Sequence, residues 1–358
     1  MTNLDKAREK ISSIDKEIAQ LFEQRMDAVK VVAEYKKNNN LPIFDEKREN
    51  ELLTNNCSLI SNNEYINYYR SFQKEVMNVS KQYQQSLINS TIVAYQGSLG
   101  AFSHIASTKL FPMASYVSFP TFENVFQAVE NGKAEYGIIP FENSYTGDVQ
   151  EIFDWCRKYN CFIHEIFPMK IDQNLLVKKG TKLSEITHVY SHPQALNQCQ
   201  LFLKQRSWEQ VSYPNTALAA EFVSKQNSNN CCAIASKDTA SIYNLDILEA
   251  DINTSSQNTT RFIVISKKEL QSASHFNMIF TLKHKAGQLA QIINHIAQVG
   301  YDMECIKSHP QKNVPWAYYF YVEIEADATT PKSKELINNI KECCEEFKLL
   351  GSYSIREE

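Results

Sequence analysis

Asn258-Thr259-Thr260-Arg261-Phe262-Ile263-Val264-Ile265 is the stretch from which the rest of the chain is read. Two hydroxyls and a guanidinium run directly into four apolar residues, the pattern of a buried strand with polar groups at its entry. α/β proteins gather their sites at strand ends, where the sheet holds them rigidly. Thr260 can give a proton or a hydrogen bond to a leaving oxygen, and the planar fork of Arg261 suits a carboxylate. Strand capping plus a surface ion pair would use the same residues, so the flanking sequence has to decide.

At 358 residues the chain is long for one core, and two or three domains are expected. A net charge of −4 with no basic block leaves no electrostatic footprint for nucleic acid or an anionic membrane. No apolar run approaches the ~20 residues that span a bilayer, and residues 1–6 lack the apolar core of a signal peptide. Nine cysteines, two adjacent pairs (Cys231-Cys232, Cys343-Cys344) and no Cys-x-x-Cys fit reduced thiols in a cytoplasmic protein, not disulfides or zinc.

Residues 4–37 contain no Pro or Gly, and Ile11, Ile14, Ile18, Leu21, Phe22, Val29 and Val32 form a helical stripe. Such a helix is about 50 Å long at 1.5 Å per residue, too long for a small globule to bury alone. Asn38-Asn39-Asn40-Leu41-Pro42 ends it. A second helix is expected from about residue 45 and a third over 64–85, followed by a polar stretch at 82–90. Three helices, one very long, bury their stripes most easily against a second copy. Arg8, Arg25 and Lys36 recur near one face of the first helix, Asp45, Arg48 and Glu49 cluster on the second, and Ser80 and Gln84 form an i, i+4 pair on the third.

These positions resemble the all-helical chorismate mutase domain. The resemblance implies an intertwined dimer in which Arg25 and the partner copy's equivalent of Arg8 grip the two carboxylates of chorismate, with Arg48 in support. Lys36 and Gln84 would donate to the ether oxygen, and Glu49 would hold the ring hydroxyl near Asp45 and Ser80. A Claisen rearrangement needs no acid, base or nucleophile. It needs a compacted dianion and positive donors where charge builds.

From residue 91 strands alternate with helices, the pattern of an α/β unit. The turn Gly97-x-x-Gly100-x-Phe102-Ser103, then Pro140-Phe141-Glu142-Asn143-Ser144-x-x-Gly147, Ser191-His192-Pro193-Gln194 and Thr259-Thr260-Arg261-Phe262 follow in order. Together they resemble the prephenate dehydratase family. That implies a bilobal α/β domain over 91–270, like a solute-binding protein, with the substrate cleft between lobes. Thr260 would protonate or hydrogen-bond the departing hydroxyl of prephenate while carbon dioxide leaves, giving phenylpyruvate. Asn143, Ser191, Gln194 and Gln198 would line the cleft, supported by Glu142 and Arg261. His104 and His192 are also candidate acids, or structural hydrogen-bonding groups.

Residues 275–356 read as β-α-β-β-α-β, the order of a ferredoxin-like α+β sandwich. The expected elements are strands over 276–283, 301–307, 316–324 and 353–355, with helices over 287–298 and 331–348. This resembles the ACT domain appended to many dehydratases, which implies phenylalanine as an inhibiting effector bound across a subunit interface. Ala286-Gly287-Gln288-Leu289 and Lys307-Ser308-His309-Pro310 occupy its two ligand-binding stretches, the second departing from the commoner Glu-Ser-Arg-Pro.

The chain thus reads as a multidomain, bifunctional chorismate mutase/prephenate dehydratase, with domains over 1–90, 91–270 and 275–356. It is expected to use no metal or organic cofactor and to form a homodimer or homotetramer. Two rivals are a monofunctional dehydratase whose helical arm only dimerises, and a non-enzymatic amino-acid sensor using the bilobal domain as receptor.

Overall fold

The computed structural model describes residues 2–39, 41–88, 91–312 and 314–357, with the side chains of Glu46 and Gln150 excluded. Asn40, in the expected helix stop, and Asn89 and Ser90, in the expected polar stretch, lie outside the described residues. The chain divides into two compact units, residues 1–91 with 113–115, and the remainder. Among the described residues no helix is long and apolar enough to cross a membrane.

The first unit is three helices: α1 (Asn3–Asn38), α2 (Glu46–Cys57) and α3 (Ile66–Ile88). Thr2 and Asp5 form a reciprocal capping box that starts α1. Asp45 lies one residue before α2, and its carboxylate accepts from the Arg48 N–H at 3.0 Å. Both α1 and α2 pack on α3. Little of α1 is covered by its own chain: Ala33 is its one buried residue among those described, and Ile11, Ile14, Ile18, Leu21, Phe22 and Val32 are exposed. Exposed apolar faces of this extent mark an interaction surface.

The second unit opens with β1 (Ile92–Gln96), β2 (Ser115–Phe119), β3 (Tyr136–Asn143), β4 (Gly147–Asp148) and β5 (Phe162–Lys170). The chain then builds a second lobe from β6 (Asn174–Val177), β7 (His188–Ser191), β8 (Glu209–Ser212), β9 (Cys231–Ala235) and β10 (Asp246–Glu249), in sheet order β10-β6-β9-β7-β8. It returns through β11 (Thr259–Ser266), inserted antiparallel between β3 and β5. The strand read from sequence is thus central to the first lobe, and Phe262, Ile263, Val264 and Ile265 are all buried.

The tail adds β12 (His275–Thr281), β13 (Asp302–Pro310), β14 (Tyr318–Glu325) and β15 (Glu346–Ile355), with helices Gln288–Val299 and Pro331–Cys343. Its central strands, β12 and most of β14, are buried on both faces. Phe276, Met278, Phe280, Val322 and Ile324 pack under the two helices, while Ile279, Tyr319, Tyr321 and Tyr353 join Phe141, Phe153 and Ile166 in the first lobe's core. Within the tail expected over 275–356, the last strand is longer than the one expected over 353–355. β15 is ten residues long, not the three expected, and its last two residues pair in parallel with β5, fusing the two sheets. Correspondingly, the preceding helix ends at Cys343, not 348.

Gly351 makes that crossing feasible. Its φ of +136° favours glycine, and a Cβ there would lie 2.7 Å from the Ile163 carbonyl oxygen. Gly351→Ala is expected to cost at least about 1–3 kcal/mol from backbone strain, read as a lower urea midpoint for the second unit.

Candidate active sites

In the helical unit, Arg25 of α1 is half-buried and its guanidinium donates to Ser80 Oγ of α3. Ser80 Oγ in turn donates to Val76 O at 2.7 Å, which fixes the hydroxyl. One turn on, Gln84 is buried and its Oε1 has no partner among the described atoms. A buried unsatisfied amide oxygen is costly unless something external meets it. Burial draws the Arg25 pKa below its ordinary value, though a guanidinium stays charged at any working pH.

The other expected mutase residues divide. Lys36 Nζ donates to Ile43 O at 2.6 Å and holds the α1–α2 connection. Glu49 is ion-paired at 3.1 Å with Lys81, which the sequence reading missed although it sits beside Ser80 on α3. Lys81 also lies over the Phe44 ring. Asp45 is exposed and spent on capping α2. Arg8 is exposed, and Arg48 is exposed with only a loose 4.0 Å pair to Glu51. Within one chain, therefore, Arg25, Ser80 and Gln84 are brought together, and Arg8 and Arg48 are not.

In the second unit, the β3–β11 ladder places Asn143 opposite Thr260 and Glu142 opposite Arg261, with a register shift just after Arg261. Asn143 Nδ2 donates to Thr260 Oγ1 and Asn258 Oδ1, both at 2.9 Å. Asn143 Oδ1 accepts from the Tyr145 and Thr146 N–H groups at 3.0 Å, an Asx turn that leaves no freedom to flip the amide. Thr260 is 8% exposed. Gln194, from the second lobe, donates to Thr146 Oγ1 at 3.1 Å and spans the lobes beside this turn. The lobes also meet where Ser98 Oγ donates to Asn215 Oδ1 at 3.2 Å. Gly97 and Gly100, at φ +103° and +85°, shape that turn.

Two expected cleft residues are placed differently. Ser191 is fully buried and donates to Ile234 O at 2.6 Å, so it braces β7 against β9 and does not line an open surface. Gln198 is also buried and accepts from Gln173 Nε2 at 3.3 Å. Gln173, missed in the sequence, carries its own unpartnered buried Oε1. Burial lowers the pKa of both His104 and His192 and so favours their neutral rings, which leaves little imidazolium to serve as an acid. His192 Nδ1 instead accepts from the Gln194 N–H and caps the helix Pro193–Gln198.

Glu142 and Arg261 form an ion pair at 3.1 Å that extends into the tail. Lys307 Nζ meets Glu142 Oε1 at 2.7 Å and also Asp148 Oδ1, while Arg261 Nη2 donates to Glu323 Oε2 at 2.7 Å. Burial opposes each charge, but the partners win: Glu142 is held below its ordinary pKa, and Lys307 and Arg261 above theirs. The assignment of Lys307 and His309 to an effector site is therefore corrected. Lys307 is committed to these carboxylates, and His309 is buried and stacked on Phe153 at 4.2 Å. Alternation along β13 leaves Ser308 and Pro310 exposed on the other face. A separate cavity of about 690 Å³ in the tail is lined by Ala286, Gln288, Leu289, Trp316, Tyr318 and Phe320, among others. Gly287 starts the adjoining helix with φ +85°.

A three-helix unit with a half-buried arginine and a two-lobed α/β unit with a braced threonine give the chain two candidate sites, one in each unit. Residues 7–85 match the sequence model of chorismate mutase type II, and residues 93–270 that of prephenate dehydratase. A bifunctional chorismate mutase/prephenate dehydratase of Buchnera aphidicola (subsp. Schizaphis graminum) is 31% identical over 97% of this chain and 95% of its own length. Among solved structures, GqqA, described as a novel type of quorum quenching acylase, shares 25% identity at a TM-score of 0.68, over 74% of this chain and 98% of that one. The prephenate dehydratase of Arthrobacter aurescens, solved in complex with L-Phe, shares 22% identity at a TM-score of 0.67, over 74% and 90%. The chain belongs to the bifunctional chorismate mutase/prephenate dehydratase family. It converts chorismate to prephenate and prephenate to phenylpyruvate, in phenylalanine biosynthesis.

Proposed function

We propose that Arg25, Lys36, Glu49, Ser80 and Gln84 form the chain's own share of the mutase site, completed by Arg8 of a second copy seated on the exposed stripe of α1. Arg25 meets a neutral hydroxyl, so its charge is available to a substrate carboxylate. Gln84, buried one turn beyond Ser80, would donate its amide N–H to the reacting ether. Arg48 stays with the carboxylate grip, and Asp45 supports α2. The exposed Ile11–Phe22 stripe supports at least a homodimer.

For the dehydration step, Thr260 is the positioned donor. An amide N–H on its oxygen stabilises negative charge there as the hydroxyl proton moves toward the departing ring oxygen. Aromatisation and loss of carbon dioxide drive the reaction forward, so one placed donor suffices. Gln194 contributes from the second lobe's side of the cleft, with Gln198 buried behind it against Gln173. The single observation carrying this reading is the Asn143–Thr260 pair, locked by the Asx turn. An acylase activity like that ascribed to GqqA needs an activated nucleophile. Thr260 is paired with an amide, Ser191 with a carbonyl, and burial pushes the Cys199 thiol up to about 12.

The tail is read as an ACT domain that binds phenylalanine as inhibitor, with Ala286, Gly287, Gln288, Leu289, Ser308 and Pro310 at the ligand. The L-Phe complex of the Arthrobacter protein and the aromatic lining of the cavity support this. Nine free thiols fit work in a reducing cytoplasm. One assay tests the whole reading: chorismate supplied to the pure protein should yield prephenate, then phenylpyruvate, and phenylalanine should suppress the second product. Chorismate left unchanged would refute it.

A further inference from the structure

Side chains alternate along a strand, so residues 142 and 261 point to the opposite face from 143 and 260. Asn143 and Thr260 form one face of the β3–β11 pair, and Glu142 and Arg261 form its back. That back rests on the tail sheet, where Lys307 of β13 and Glu323 of β14 approach the same pair diagonally, since Cys305 and not Lys307 is the register partner of Glu323. The chain of contacts Lys307–Glu142–Arg261–Glu323 alternates in charge throughout. Glu323 is 1% exposed, and its second oxygen accepts from the Tyr321 hydroxyl at 2.7 Å. Asp148, opposite Glu142 across β3–β4, gives Lys307 a second carboxylate beside the Asx turn. The β3–β11 register shifts between Arg261 and Phe262, so the ladder is irregular where the pair needs support.

We propose that Lys307 and Glu323, carried by the C-terminal sheet, are positioning residues for the dehydration step. They clamp Glu142 and Arg261 from behind, and so fix the separation and tilt of Asn143 and Thr260. The tail is thereby part of the dehydratase as well as its regulator. A displacement on the order of 1 Å at a reacting group costs up to about 100-fold in rate, which sets the size of effect to seek. The inference rests on Thr260 being the dehydratase donor.

The test uses the full chain with prephenate as substrate. Lys307→Met is expected to lower kcat roughly 10- to 100-fold with KM moving far less. Lys307→Arg, which keeps a cation at that point, should recover most of the loss. Mutase turnover, whose residues lie in the other unit, reports on the integrity of the preparation. Should Lys307→Met unfold the second unit, Glu323→Gln carries the test, since it removes the charge and keeps the shape. Parent-like kcat in Lys307→Met, or in Glu323→Gln where that variant carries the test, overturns the proposal, as does a loss that Lys307→Arg does not recover or that falls equally on kcat and KM. Thr260→Val separates the two ideas. Parent-like activity there removes the assignment of the site, whereas an inactive Thr260→Val beside a normal Lys307→Met removes only the clamp.

Discussion

Replacing Arg25 by alanine is expected to cut kcat/KM for chorismate roughly 30-fold or more, the cost of removing one partner of a hydrogen-bonded charge pair with a substrate carboxylate, about 2–5 kcal/mol. The reason lies in what surrounds the guanidinium. It is half-buried, and burial already works against its charge, yet its partner is the neutral Ser80 hydroxyl. The helical unit's described ion pairs, Lys81–Glu49 and Arg48–Glu51, do not include it. A partly desolvated cation left without an anion is positioned for one that arrives. Alanine removes that attraction and leaves Ser80 still bonded to Val76, so α3 should hold its shape. Chorismate consumption is the measurement, with prephenate supplied directly as the control. Conversion of prephenate should be unchanged, because Arg25 belongs to a separate unit. An Arg25→Ala protein that makes prephenate at the parent rate would return the helical arm to a purely dimerising role.

How much of this is legible without coordinates depends on how far apart in sequence the interacting groups lie. The helical stripe of α1 and the end of β11 are local patterns, and both are read at the right place. Asp45 is legible too, although as a cap before it is a ligand: an aspartate three residues before Arg48 is an N-cap signal. Ser191 and Asn143 show the limit. Both are small polar residues at strand ends, and alternation alone cannot say that one faces a carbonyl within the sheet while the other faces Thr260, 117 positions later. Lys307 and His309 stand out as departures from the commoner motif, but Lys307 answers to the carboxylates Glu142 and Asp148, some 160 residues upstream, and His309 to the Phe153 ring. The terminal strand is misjudged because Phe347, Leu349 and Leu350 satisfy either helical or strand spacing, and Gly351 reads as a break. In the fold, that glycine is what lets the strand cross from one sheet to the next.

Thr260→Val keeps the β-branched shape suited to a buried strand and removes one hydroxyl. It is expected to lower kcat for prephenate by about 100- to 10,000-fold, the span of a positioned proton donor, with a much smaller change in KM. Asn143 Nδ2 retains Asn258 Oδ1 at 2.9 Å and the Thr259 carbonyl at 3.2 Å, so the Asx turn should survive. The loss in stability should be near that of one hydrogen bond, about 0.5–1.5 kcal/mol. Chorismate fed to this variant should stop at prephenate, and single-turnover kinetics should show that binding persists while chemistry fails. Thr260→Ser, which restores the hydroxyl with more rotational freedom, should regain much of the rate. The sign of this series matters more than its size. If valine and serine are equally slow, strand packing at residue 260 is what dehydration needs; if serine alone recovers, the hydroxyl is, and Asn143 matters because it stabilises the charge that hydroxyl develops.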